Sequence, residues 1–452
     1  MIVAKFGGTS VGDAAAIERL AAIVAGRRKR RPIVVVSAMS GVTNQLLAMA
    51  EQSVRGQLIG AMRAVEALRE RHLEEADTLL GADGNEVCGE LSAMCDELAH
   101  LVEALSVLGH LTPRSLDAIA AFGERLSSML VATVLRVRGV DAEHVEARDV
   151  MITDAEFTRA EPQPERIAEA AREHVLPVVR AGRVPVMGGF IGSTPEGVTT
   201  TIGRGGGDYS AALVGAAIKA EAIEIWTDVD GMLTADPRVV QGARLIERIR
   251  FDEASELASF GAKVLHPMTI APAVRLGIPV YVYNSRNPSG TGTLIAREAP
   301  RRPVSAIAGR GDVTMIRVTA PRMLLAHGFL KTVFEIFERH RTSVDVVATS
   351  EVSVSLTTDE DHHLEAIVVD LRRLGDVAVE RNRGVVALVG AGLSETGTAM
   401  ARALGALGDV RVHMLSLSAT GINLTAIIDA EQVNPVMRRL HDEFFPPGVG
   451  AS

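Results

Sequence analysis

Aromatic side chains make up only 3% of these 452 residues, so the interior has to be built from Ala, Val, Leu and Ile. Such a core suits helices packed on a buried, mainly parallel sheet. Cysteine is nearly absent: Cys88 and Cys95 stand seven apart in a helical stretch. Two such residues make no disulfide framework and lack the further ligands of a zinc site. They read as buried or idle thiols in a reducing cytoplasm. No apolar run approaches the ~20 residues of a membrane span. The opening Met1 to Gly8 has neither the basic start nor the apolar core of a signal peptide and reads as a strand. Positive charge is not in excess either. The net charge of -9 argues against a nucleic-acid partner. The one basic run, Arg27 to Arg31, ends a predicted helix and suits its negative pole as a solvated terminus. Finally, no Gly-Lys pair occurs, which excludes a Walker A loop.

What is present has a clear order. The length allows two or three domains at about 150 residues each. From residue 1 to about 295, short β-branched runs alternate with helical stretches. The strands include 2–6, 33–37, 184–187, 222–227 and 279–283, each apolar on both faces. That is the signature of an α/β unit with a mainly parallel sheet flanked by helices. Residues 45–110 read as helical throughout. Glu298 to Pro303 is a linker, with two prolines, two arginines and no apolar period. Beyond it a βαββαβ pattern is written twice, over 313–382 and 383–447. The second copy lacks a last strand, and residues 304–308 are expected to supply it.

Thr199 to Ala211 carries the strongest chemical signal: a strand end, a loop of four glycines and Arg204, then a helix with Asp208 at or near its N-cap. A glycine-rich strand-to-helix turn aims free N–H groups at a ligand, and the Arg204 fork suits a carboxylate or phosphate. A plain structural loop would carry the same glycines without using Arg204. Lys5 to Gly12 places a lysine at the end of the first strand, then a double glycine, then hydroxyls opening a helix. A lysine at a sheet's carboxyl edge is costly unless an anion meets it, or else it snorkels to solvent. Ser37 to Asn44 repeats this logic at the second strand. Glu124 falls early in a helix, where an exposed glutamate is ordinary. Asp228 and Asp230 follow a strand in an acidic turn; they face a nucleotide or Mg2+, or simply form the turn. Lys263 stands beside a glycine, and His266 precedes a proline and reads as structural. Val386 to Gly392 begins like a dinucleotide-binding turn, but Glu395 occupies the third glycine position and too little chain follows for such a domain.

Taken together, these segments resemble the aspartate kinase family. The strings Lys-Phe-Gly-Gly-Thr-Ser-Val (5–11), Gly-Arg-Gly-Gly-Gly-Asp-Tyr (203–209), Trp-Thr-Asp-Val-Asp-Gly (226–231) and Phe-Gly-Ala-Lys-Val-Leu-His-Pro (260–267) occur in the family's order and spacing. The resemblance spans nearly the whole chain. It implies an amino-acid kinase fold followed by two ACT regulatory modules, and transfer of phosphate from ATP, with Mg2+, to the β-carboxylate of L-aspartate. The homoserine dehydrogenase domain of bifunctional relatives is expected to be absent. By motif, Lys5, Phe6, Gly7 and Gly8 hold the ATP phosphates, and Lys5 stabilises the transferring group. Lys263 works from the nucleotide side, and Asp208 organises the lysines. Thr227, Asp228, Leu233, Arg238 and Val264 line the nucleotide site. Thr43, Glu124 and Arg204 hold aspartate, Glu124 by its ammonium and Arg204 by its α-carboxylate. Leu233 replaces a tyrosine of bacterial relatives, and Gly207 replaces a common serine.

The first ACT-like module resembles the lysine-sensitive branch. The match implies an allosteric L-lysine site formed by Met323, Ala326, Phe329, Leu330, Ser343, Val344, Asp345, Ser350 and Glu351. The negative charge of Asp345 and Glu351 suits a cationic ligand. Ala326 replaces a serine, with one hydrogen bond fewer. ACT modules pair between chains in the family, so a homodimer or dimer of dimers is expected. Two rival readings are an amino-acid kinase of another substrate and an amino-acid sensor with an inactive kinase core.

Overall fold

The computed structural model describes residues 1–203, 205–260, 270–323, 327–359, 361–395 and 397–446. The chain forms two compact units. The first takes Met1–Met232, Glu247–Phe251 and a last segment ending at Glu298. The second takes Leu233–Ile246, a segment starting at Asp252, and the chain from Ala299 onward. Two pieces inside the 1–295 span therefore pack with the C-terminal half. Their side chains explain why. Ala235 and Val240 join an apolar cluster with Val304, Ile307, Val386 and Leu440, and Thr234 hydrogen-bonds His441 at 2.9 Å.

In the first unit the strands are β1 (Ile2–Phe6), β2 (Pro32–Val36), β3 (Ala142–His144) and β4 (Val184–Gly188), then the hairpin of β5 (Ile191–Ser193) and β6 (Thr199–Thr201). They continue with β7 (Ala222–Thr227), β8 (Arg248–Arg250), β9 (Val280–Asn284) and β10 (Thr293–Ala296). Eight of them make one sheet in the order β3-β4-β2-β1-β7-β9-β10-β8. Every pairing in it is parallel except β9 with β10. β2 and β4 are buried along their whole length, which is why they read as continuous apolar runs. The 45–110 stretch is not one helical run. It breaks into Val42–Val54, Leu58–Leu80 and Asn85–Leu108, with Gly81 at a positive φ of 51° between the last two.

The scarce aromatics are concentrated. Trp226 stacks on Phe6 at 6.0 Å and meets Tyr283 at 4.8 Å, all on adjacent strands. Beside them lies Glu224, fully buried, accepting from Arg30 at 2.8 Å, from Arg27 at 3.3 Å and from the Trp226 indole at 3.2 Å. The basic run is thus more than a solvated helix end: two of its arginines neutralise a buried carboxylate on β7, an interior strand of the sheet. One helical run, Pro113–Val137, is long and apolar enough for a membrane. Its most apolar window is 83% buried in this unit, as a core helix would be.

The second unit contains β11 (Ala306–Thr319), β12 (Val347–Thr349), β13 (Ser353–Thr358), β14 (Asp376–Val389), β15 (Met414–Leu417) and β16 (Asn423–Asp429). They form one antiparallel sheet, ordered β12-β13-β11-β14-β16-β15. β11 and β14 are long enough to serve two βαββαβ patterns at once. Residues 306–310 pair with 385–389, while 314–319 pair with 353–358 and 315–319 also with 376–380. Each pattern borrows the far half of the other's first strand. The glycines of the nucleotide-like turn serve packing here, since a Cβ on Gly390 would lie 2.4 Å from the Pro303 carbonyl oxygen. We expect Gly390→Ala to destabilise this unit by about 1–3 kcal/mol. Urea unfolding checks this, and an unchanged midpoint would contradict it.

Candidate active site

The carboxyl ends of β1, β2, β4 and β7 open onto one cavity of about 490 Å³. This is where open α/β sheets bind ligands. Lys5, Gly7 and Gly8 enter it from the end of β1, Ser37 to Gly41 from the turn after β2, and Thr43 and Asn44 from the start of the helix Val42–Val54. Glu124 comes from the helix Phe122–Val137, Phe190 from the turn after β4, and Thr227 from β7. The helix Gly206–Ala217 closes it with Gly206, Gly207 and Asp208.

Asp208 is not the N-cap. Gly205, left-handed at a φ of 78°, takes that position, and Asp208 falls on the third helical residue. Its carboxylate is instead turned to Lys5, with Nζ to Oδ1 at 2.6 Å. Both side chains are mostly buried, and the contact meets the distance of an ion pair without the angle of a hydrogen bond. The lysine placed at the sheet edge therefore has its anion. Backbone crowding makes the approach possible: a Cβ on Gly207 would lie 3.2 Å from both Lys5 Cε and Ser37 Oγ, and one on Gly189 would lie 2.9 Å from Gly207 Cα.

Glu124 departs most from expectation. It is not an exposed first-turn residue; only 3% of it is exposed. Gly188 lets β4 press against it, since a Cβ there would stand 3.0 Å from Glu124 Cβ. Burial pushes its carboxyl up to about 8, partly opposed by the Ala38 and Glu124 backbone N–H groups and by Lys5. Its Oε2 has no hydrogen-bond partner among the described residues. A buried acceptor left unsatisfied at a cavity wall points to a donor arriving with a ligand, and a cation suits it best.

The cavity joins Lys5, Gly7, Gly8, Thr43, Glu124, Asp208 and Thr227 from the sequence-derived set. The Phe6 side chain is wholly buried against Trp226, which leaves only its backbone for a ligand. Asp228 stands in an exposed turn, accepting from Thr227 at 3.3 Å, while Asp230 accepts from Asn284 at 2.8 Å. Leu233 and Arg238 belong to the second unit; Arg238 is paired with Asp236 on the surface at 2.6 Å. Arg204, Lys263, Val264, His266 and Ala326 lie outside the described residues. Phe190 lines the cavity and was missed in the sequence. The Gly188-Gly189-Phe190 step straight after a strand was the available signal, and Phe190 itself takes a positive φ of 64°.

The set carried over for the effector lies in the second unit. Met323, Phe329 and Val344 pack at the margin of the cluster around Ile316, Phe337 and Leu356. Leu330 is 39% exposed, and Ser343 and Glu351 are exposed as well. Ser350 and Ser353 share a hydroxyl contact at 2.7 Å. Asp345 is salt-bridged to Arg310 at 2.8 Å.

Comparison with known proteins agrees with this fold. Residues 1–284 match the amino acid kinase family, and residues 386–444 match the ACT domain. The chain is 38% identical to the lysine-sensitive aspartokinase 3 of Escherichia coli, covering 98% of this chain and 99% of that protein. It is 34% identical to the chloroplastic aspartokinase 3 of Arabidopsis thaliana, covering 98% of this chain and 81% of that one. The crystal structure of E. coli aspartokinase III with aspartate and ADP superimposes with a TM-score of 0.87, at 38% identity over 98% of this chain and 100% of that one. The chain belongs to the amino acid kinase family and, within it, to the aspartokinases, ATP-dependent kinases acting on the carboxyl group of aspartate.

Proposed function

We propose that this chain transfers the γ-phosphoryl group of Mg-ATP to the β-carboxylate of L-aspartate from the Lys5 cavity, and that L-lysine inhibits it through the first βαββαβ module. One observation carries the first half: a single cavity holds the Lys5–Asp208 pair and the buried carboxyl of Glu124, whose Oε2 has no hydrogen-bond partner among the described residues. Glu124 takes the substrate ammonium, and Thr43 and Arg204 take its carboxylate end. Lys5, beside Gly7 and Gly8, faces the phosphates. A β-carboxylate oxygen attacks the γ-phosphorus while the bond to the ADP oxygen breaks. The attacking group is already ionised at neutral pH, so no general base is required. Positioning and positive charge do the work. Lys263, Val264, Thr227, Asp228, Leu233 and Arg238 are assigned to the nucleotide. Magnesium enters as the ATP complex, held chiefly by phosphate oxygens. Trapping the acyl phosphate with hydroxylamine tests this: aspartyl hydroxamate is expected, and a hydroxamate formed only with glutamate or acetylglutamate would overturn the substrate.

E. coli aspartokinase III has also been solved with lysine and aspartate, and it superimposes with a TM-score of 0.82 at 38% identity over 98% of this chain and 99% of that one. That supports a lysine site here at Met323, Ala326, Phe329, Leu330, Ser343, Val344, Asp345, Ser350 and Glu351. We expect Asp345→Ala to abolish inhibition, read as the ratio of rates with and without millimolar L-lysine. Inhibition equal to the parent's would remove Asp345 from the site. The modules 313–382 and 383–447, the second completed by 304–308, pair between two copies in this reading. Exposed Leu330 and Phe334 on one helix, with Val352 nearby in sequence, support a homodimer or dimer of dimers. Free Cys88 and Cys95 suit a cytoplasmic setting.

A further inference from the structure

Arg310 divides its guanidinium between two carboxylates. Nη2 stands 2.8 Å from Asp345 Oδ2, and Nη1 stands 2.7 Å from Asp359 Oδ2. The two acids flank different strands. Asp345 precedes β12 and donates its backbone N–H to Thr357 at 2.9 Å, while Asp359 directly follows β13. Arg310 itself sits in β11 opposite Val385, on the half of the strand that serves the second βαββαβ pattern. The register shifts immediately after it, between Arg310 and Val313. A cation from one pattern thus neutralises an acid of the other.

We infer that Arg310 is a built-in competitor for the effector at Asp345, and that Asp359 sets how readily it yields. The inference rests on the reading of Asp345 as a ligand of a cationic amino acid. An ammonium group reaching Asp345 meets a carboxylate already held by a charge-assisted bond. Arg310 has to release one oxygen, and Asp359 keeps the guanidinium paired when it does. The exchange therefore never strands an unpaired charge, and a guanidinium fork presents a donor to each acid. Effector affinity is the balance between Asp345 and Asp359 for one arginine. Each arrival also removes one of the two holds of Arg310 on the first pattern, at the point where β11 passes from one pattern to the other.

Two substitutions should move affinity in opposite directions. Arg310→Gln removes the competitor and is expected to tighten L-lysine binding by roughly fivefold or more. Asp359→Asn leaves Arg310 to Asp345 alone and is expected to weaken binding by a similar factor of roughly fivefold. Both are read by calorimetric titration of the full chain with L-lysine, with circular dichroism confirming the fold. A merely structural role for Arg310 would weaken binding in both variants. Unchanged or weaker binding in Arg310→Gln overturns the inference, as does tighter binding in Asp359→Asn. If Arg310→Gln fails to fold, Arg310→Lys takes its place: a single ammonium cannot present a donor to each acid at once, so tighter binding is again expected, and unchanged or weaker binding overturns the inference. Asp345→Ala separates this from the reading beneath it. Parental lysine binding in that variant removes the site, whereas lost binding there with no shift in the other two removes only the competitor.

Discussion

Lys5→Met is expected to lower kcat by roughly three orders of magnitude or more, with the fold retained. Phosphoryl transfer spreads negative charge over the moving group, and the Lys5 ammonium is the cation that the sheet edge presents beside Gly7 and Gly8. Its place is fixed by Asp208 at 2.6 Å and by the absence of side chains at Gly207 and Gly189. The substitution keeps most of the volume and removes the charge. It also leaves Asp208 without its partner, so some stability is lost as well. Steady-state kinetics beside a thermal melt separates the two effects. A kcat within about tenfold of the parent would mean that Lys5 does not face the transferring group.

The second large effect concerns pH and Glu124. Burial disfavours the charged form of its carboxyl and pushes it up to about 8. An ammonium binds the carboxylate and not the acid, so substrate must drive a proton off. The ionised fraction falls about tenfold for each pH unit below that value. The KM for aspartate should therefore drop about tenfold per unit as pH rises from about 6 toward 8, and level off above. Calorimetry near pH 7 in buffers of different ionisation enthalpy should show close to one proton released per aspartate bound. Glu124→Gln should raise KM by about 100-fold or more and flatten this slope. A parental KM that does not change between pH 6 and 8 would contradict the assignment.

Much of this architecture was legible because it is local. The strands of the first unit announce themselves as Val- and Ile-rich runs: 2–6 and 222–227 match as they stand, and the bounds of the other three expected strands differ from the observed ones by a single residue. Lys5 was legible as a problem, a charge at a sheet's edge, though not its solution in Asp208. Glu124 was not legible. Nothing within a turn of it distinguishes a buried glutamate from an exposed one; its environment comes from Gly188, more than sixty residues away. Asp208 was expected at or near the N-cap and lies near it, on the third helical residue; Gly205, in a left-handed turn, takes the cap itself although Asp is the stronger capping residue. β11 and β14 read as separate short strands because local irregularities interrupt their alternation. Asp312 and Asn382, both at positive φ, mark those points. The basic run at 27–31 looked solvated because Glu224, its buried counter-ion, lies nearly two hundred residues on.

The most direct test of the account is ADP release by the purified chain with Mg-ATP and L-aspartate, measured with and without millimolar L-lysine. The account predicts turnover that depends on aspartate and is suppressed by lysine. Turnover that lysine leaves untouched would contradict the effector site. ATP hydrolysis indifferent to aspartate, or no turnover at all, would contradict the assignment of the Lys5 cavity.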